Sequence, residues 1–200
     1  MRYIFSLSLT FITTLCFAQH KKQLPLPPPR PFTKHELALA EKTKQCFFSN
    51  RYTAAQRKHI FPFNKAVNVV LVSFKEDHLI PVKNKSITDS LVLERTTLSV
   101  KQTDSLTNIL YNIGYTPVRA KYRYLFFDAY QCYEPRNGIV FIDAAGDAFA
   151  YIEICFQCHG TRTSSKAVKL GEFCSTKFEL LKAFFLQTGI TYGTEKISDI

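Results

Sequence analysis

The chain has 200 residues, of which 46% are hydrophobic and 21% are charged, and its formal net charge is +10. This is the composition of one ordinary globular domain, and it excludes a disordered, collagen-like or disulfide-dense chain. The length also excludes two large enzyme domains.

Residues 1–18 have the pattern of an export signal. Arg2 supplies the positive start, an apolar stretch follows, and Cys16 and Ala18 are the small residues expected before a cleavage site. The apolar stretch is about a dozen residues long, shorter than the roughly 20 that span a bilayer. We therefore expect a secreted or periplasmic protein with no transmembrane segment in its mature chain. Lipid attachment at Cys16 is disfavoured by the bulky Leu15 before it.

Residues 19–32 form a basic, proline-rich linker that contains the run LPLPPPRP. Such a run favours the extended polyproline II conformation and acts as a stiff spacer. Between residues 19 and 66 there are ten lysines and arginines against two glutamates, whereas the rest of the chain is nearly neutral. This basic N-terminal arm is suited to contact anionic surfaces. No nucleic-acid recognition motif accompanies it, so we do not expect nucleic-acid binding.

Residues 33–200 are predicted to form a single α+β domain, in which about three helices cover a small antiparallel sheet with a C-terminal β-hairpin. A capping box at Thr33 and Glu36 predicts a helix over 34–47. The β-branched run Val67–Phe74 predicts a buried strand, and residues 90–94 a second one. Another capping box, at Ser99, begins a helix that Gly114 is placed to end.

The C-terminal half is predicted to contain a strand at 122–127, a hairpin and a final helix. The hairpin covers residues 138–156 and turns at 144–147, where Gly146 can adopt a positive φ. The final helix begins at Ser175 and ends at Gly189.

Four cysteines cluster in the last third of the chain, namely Cys132, Cys155, Cys158 and Cys174. Clustered cysteines usually pair in an oxidising compartment, so we expect two structural disulfides among these four. Three connectivities are possible, and the sequence does not rank them. Cys46 would then be the odd thiol.

The stretch Cys155-Phe-Gln-Cys158-His159 resembles the CxxCH haem-attachment motif of c-type cytochromes. The resemblance implies thioether bonds from Cys155 and Cys158 to haem c, with His159 as the iron ligand, in a mono-haem electron carrier. It covers five or six residues.

Two other cysteine chemistries stay open. Cys155, Cys158 and Cys174 could hold zinc with Cys132 or His159 as the fourth ligand, since thiolates and imidazole are its usual ligands. A thioredoxin-like role needs a helix directly after CxxC, and the residues after Cys158 lack a helical apolar stripe. Nucleophile-elbow, HExxH, Walker and dinucleotide-binding motifs are absent from the sequence. We therefore expect a binding or interaction module of unknown ligand rather than an enzyme.

Overall fold

The computed structural model describes residues 31–75, 80–115, 133–174 and 176–194. The predicted export signal, residues 19–30 of the linker, the strand expected at 122–127 and Cys132 lie outside these ranges. From Phe32 onward the described residues belong to one unit. This unit combines helices with antiparallel strands, which confirms the predicted α+β class.

The described residues contain four α-helices, which are α1 (Lys34–Lys44), α2 (Ala54–Lys58), α3 (Val100–Asn112) and α4 (Lys177–Gln187). The predicted capping boxes at Thr33 and Ser99 begin α1 and α3, and a third at Thr53 begins α2. In each box a hydroxyl and a Glu or Gln side chain accept N–H groups that the first helical turn leaves unpaired. None of these helices combines the length and apolarity needed to cross a membrane.

Nine strands lie in the described ranges, namely β1 (Cys46–Phe48), β2 (Asn68–Phe74), β3 (Val82–Lys83), β4 (Ser86–Ile87), β5 (Val92–Thr97), β6 (Ile113–Tyr115), β7 (Asn137–Ile142), β8 (Ala148–Cys155) and β9 (Gly160–Thr163). Five of them form one antiparallel sheet in the order β5-β2-β7-β8-β9. The pairs β1–β6 and β3–β4 stand apart from it. The main sheet is thus larger than expected, since β9 extends the predicted hairpin β7–β8 at one edge.

The hairpin turns where the sequence predicts it. Gly146 has a φ of 86°, a value that costs glycine nothing. The Asp143 carboxylate accepts the N–H groups of Ala145 (2.9 Å) and Asp147 (3.0 Å), which closes the turn. The strand expected at 90–94 instead begins at Val92, because a short 3-10 turn occupies Asp89–Leu91.

The helices α3 and α4 pack on one face of the sheet. Leu106 and Leu110 of α3 and Leu181 and Phe185 of α4 are buried in one cluster with sheet residues such as Ile152. The opposite face has its own apolar layer, in which Val70, Val72, Phe74 and Val140 pack with Ile80 and are covered by the β3–β4 pair. Because both faces of β2 are covered, its sequence is a continuous apolar run rather than an alternating one.

Candidate functional site

A groove of about 750 Å³ opens beside the carboxyl end of α3. One wall is β1 with the loop that follows it, and the other is the segment between β9 and α4. Apolar and aromatic side chains line much of it, among them Phe47, Tyr52, Ile60, Tyr111, Val168 and Leu170. The charged lining residues are Arg51, Lys166, Lys169 and Glu172, and all four are exposed. Small-molecule sites have this volume and this mixture of an apolar lining with a few polar groups.

The first wall is fastened to α3 through Asn112, which is 1% exposed. Its side-chain Oδ1 accepts the Tyr52 N–H at 2.8 Å, and its Nδ2 donates to the Tyr52 carbonyl at 2.9 Å. The Asn112 carbonyl accepts the Ser49 N–H at 2.8 Å. These bonds hold the backbone of residues 49–52 in one conformation, and with it the position from which Arg51 extends.

The buried side chain of Arg57 also holds the loop of residues 49–52 in place. The Arg57 guanidinium donates to the Tyr52 carbonyl (2.9 Å), to Thr107 Oγ1 (3.1 Å) and to Asp104 Oδ1 (2.8 Å). Asp104 and Thr107 belong to α3, so α2 and the loop before it are locked to that helix. The wall is therefore formed before any ligand arrives, and a preformed wall lowers the ordering cost of binding.

The second wall lies close to the end of α3 because residue 171 is a glycine. Gly171 has a φ of 68°, and a Cβ at this position would lie 2.2 Å from the Leu110 carbonyl oxygen. Any side chain would push the wall away from the helix. The Tyr111 hydroxyl also donates to the Lys169 carbonyl at 3.0 Å, which attaches the middle of this wall to α3.

Lys177 of α4 is buried beneath the second wall. Its Nζ donates to the Leu110 carbonyl at 2.7 Å and to the Glu172 carbonyl, and it lies 5.0 Å from the centre of the Phe173 ring. Burial lowers the pKa of Lys177 to about 7, although the nearby Glu172 carboxylate opposes this shift. Burial therefore disfavours the charged form of Lys177, and the unfolded chain binds this proton more tightly than the folded chain does.

A disulfide joins the two walls. Cys46, next to Phe47 in the first wall, is bonded to Cys174, two residues after Glu172 in the second, with 5.2 Å between their Cα atoms. The expectation that Cys46 is the odd thiol is therefore wrong. Its partner lies 128 residues away in sequence, and clustering along the chain gave no indication of it.

The CxxCH stretch forms the tight turn between β8 and β9. Cys155 ends β8 with a buried, free thiol, which corrects the expectation that it belongs to a disulfide. Cys158 is disulfide-bonded. The Cys158 N–H donates to Cys155 Sγ at 3.1 Å, and the His159 ring stacks on Phe178 with 5.0 Å between ring centres.

This turn does not suit haem or zinc. Two thioether bonds need two free thiols, whereas the sulfur of Cys158 is already in a disulfide. The zinc set requires Cys158 and Cys174 as thiolates, and both sulfurs are in disulfides. Across the ranges that the structure describes, no three Cys, His, Asp or Glu side chains converge in a way that could hold a metal ion.

The buried carboxylate of Glu153 is hydrogen-bonded to three other parts of the chain. Its carboxylate accepts the Ile80 N–H (2.9 Å), Arg162 Nε (2.5 Å) and the Tyr133 hydroxyl (3.3 Å). Burial, reinforced by the Glu153 charge, raises the pKa of Tyr133, and the hydrogen bond from Arg162 raises the pKa of that guanidinium. Both carboxylate oxygens have partners, so Glu153 joins residue 80 and β9 to the sheet.

Sequence reasoning missed the groove. Its lining comes from stretches that are far apart along the chain, and each stretch reads locally as a loop or as core. The one available signal is the segment after Thr163, where Lys166 and Lys169 alternate with Val168 and Leu170 without helical periodicity. No protein-family model, no curated protein and no solved structure matches the chain.

Proposed function

We propose that this protein is an exported binding module that holds a small organic ligand in the groove beside α3. The observation that carries the proposal is the groove itself, about 750 Å³ with an apolar lining and charged residues among the side chains that surround it. The other candidate functional residues of the described chain are hydrogen-bonded, disulfide-bonded or buried. The Glu153 carboxylate accepts hydrogen bonds, the Cys158 sulfur is in a disulfide, and the Cys155 thiol is buried.

The hydrogen bonds and the disulfide that fasten both walls support a preformed binding site. Asn112, Arg57, Lys177 and the Cys46–Cys174 disulfide fasten the walls to α3 and to each other. A ligand then gains from leaving water with little ordering cost to the protein. Each 100 Å² or so of apolar ligand surface that the groove covers contributes about 2.5 kcal/mol.

Export is part of the proposal and rests on different observations. The leader pattern of residues 1–18 directs a chain out of the cytoplasm, and disulfides persist in the oxidising compartments beyond it. Contact between the basic N-terminal arm and anionic surfaces remains a prediction of the sequence.

The test uses a neutral hydrophobic dye, N-phenylnaphthylamine, whose emission rises on entering an apolar site. The native protein should bind it with one-to-one saturation. Ser49→Trp places an indole in the groove and should weaken binding about tenfold or more, equivalent to at least about 1.4 kcal/mol. The Ser49 backbone keeps its bond to the Asn112 carbonyl, so we expect the fold to persist.

Thr97→Trp is the matched control. Thr97 is exposed on β5, at the opposite edge of the sheet from β9, and the chain has no tryptophan of its own. Each variant therefore carries a single indole whose emission reports its surroundings. Equal titrations for both variants would place the dye elsewhere, and absence of saturable binding by the native protein would end the proposal.

A further inference from the structure

The charged residues around the groove are mostly of one sign. Arg51, Lys166 and Lys169 line it together with one carboxylate, that of Glu172. In the part of the chain that the structure describes, no carboxylate forms an ion pair with any of the three cations. Within the described residues, no paired carboxylate balances the charge of these three side chains.

The position of Arg51 is held by its neighbours. The backbone on its C-terminal side is fixed by Asn112, and its guanidinium lies 5.2 Å from the centre of the Tyr52 ring, within cation–π range. A guanidinium laid against an aromatic face keeps its N–H donors available at the edge of the plane. Such donors suit the oxygens of a carboxylate, sulfonate or phosphate.

The other two cations belong to the opposite wall. Lys169 Nζ donates to the Lys166 carbonyl at 3.4 Å, so the Lys169 ammonium lies beside Lys166 on the same short segment. Between them along the chain, Val168 turns inward and is 6% exposed. Leu170, half-buried on the same segment, lines the groove, and both lysines are exposed beside it.

From this arrangement we infer that the ligand is an organic anion with an apolar body and one carboxylate, sulfonate or phosphate group. The inference rests on the proposed binding function and names its ligand class. The apolar body lies against Phe47, Tyr52 and Leu170, while the anionic group stays near the exposed Arg51, Lys166 and Lys169. A cationic ligand is disfavoured by the same three charges.

The expected effect is moderate, because exposed charges are screened by water and salt. Ion pairs of this kind each strengthen binding by about twofold to fivefold, so two or three of them give about a tenfold preference for an anion over its neutral analogue. The preference should decline as salt is raised from about 50 mM to about 500 mM, because the screening length falls from about 14 Å to about 4 Å.

The experiment compares two dyes of the same aromatic framework. Anilinonaphthalene sulfonate carries a single negative charge, and N-phenylnaphthylamine carries none. The native protein should bind the sulfonate about tenfold more tightly at low salt. In the double variant Lys166→Gln/Lys169→Gln, the ratio of sulfonate affinity to neutral-dye affinity should fall about fivefold.

Lys101→Gln is the control for net charge. Lys101 is exposed at the amino end of α3, about 16 Å along the helix from Asn112 and the groove. It should leave both affinities unchanged. A loss of sulfonate affinity as large, for each charge removed, as that of the lysine pair would show that overall charge, rather than the groove, attracts the anion.

The outcomes separate the two proposals. Equal affinity for both dyes, with binding still weakened by Ser49→Trp, would overturn the anion preference and leave the binding function standing. Absence of saturable binding by either dye would overturn both. A sulfonate preference that survives in Lys166→Gln/Lys169→Gln would assign the anion to other residues and refute this inference.

Discussion

Removal of the Cys46–Cys174 disulfide is expected to destabilise the domain severely. This bond closes a loop of 128 residues, because its two cysteines lie near opposite ends of the described chain. In the chain-entropy description, a cross-link of that span restricts the unfolded chain by about 5 kcal/mol. This is an upper value, because disulfides often contribute less than the chain-entropy description gives when the unfolded chain retains structure.

The perturbation is the double variant Cys46→Ala/Cys174→Ala, measured by urea denaturation and by thermal unfolding without reductant. A loss of about 5 kcal/mol corresponds to a fall of roughly 10 to 20 °C in Tm for a domain of this size. The matched control is Cys155→Ala, which deletes a buried thiol that belongs to no disulfide. It should cost about 1 kcal/mol, the typical effect of a single substitution.

Reductant provides an independent arm of the same test. Native protein treated with dithiothreitol should lose at least as much stability as the double variant, because both disulfides are then open. If the double variant unfolds at the same urea concentration as the native protein, the two walls of the groove are held by packing alone. The reasoning about the disulfide would then be refuted.

Two further predictions concern buried charges. Between pH 7 and pH 10 the unfolded chain, with a lysine pKa of 10.5, binds more protons than the folded one, so stability should rise by up to about 1.4 kcal/mol per pH unit through Lys177. Lys177→Met should flatten that slope in urea titrations, and an unchanged slope would contradict the assignment. Glu153→Gln should cost about 2 kcal/mol, less than for a fully buried pair because the Arg162 side chain is 46% exposed. The control Lys85→Gln removes an exposed ion pair with Asp147, and its free energy of unfolding should stay within about 0.5 kcal/mol of the native value. A loss for Glu153→Gln no larger than this would contradict the role given to the buried carboxylate.

The elements that the sequence predicted are those with local signals. The capping boxes at Thr33 and Ser99 lie within four residues of chain each, and Gly146 marks its turn by itself. The run Val67–Phe74 is apolar because both faces of its strand are buried, and this property is visible in one segment. Such signals need no knowledge of distant residues.

The missed elements have no comparable signal. The strand β1 (Cys46–Phe48) exists through its pairing with β6, 65 or more residues further along the chain, and Phe47 and Phe48 remain largely exposed. The strand β9 contains Gly160 and Arg162 and is held by pairing with β8. Short strands of mixed composition form because a partner edge is available, and only the folded sheet provides that edge.

The amino-acid sequence by itself determined the α+β class, two of the capped helices, the central strand and the C-terminal hairpin, because each depends on side chains that are neighbours in the chain. The tertiary structure decided which cysteines meet and where a groove opens. Cys46 meets Cys174, and Arg51 faces the same groove as Lys166 and Lys169, because α3 and α4 pack together on one face of the sheet. Contacts between residues more than a hundred positions apart are set by that packing, and no local pattern records them.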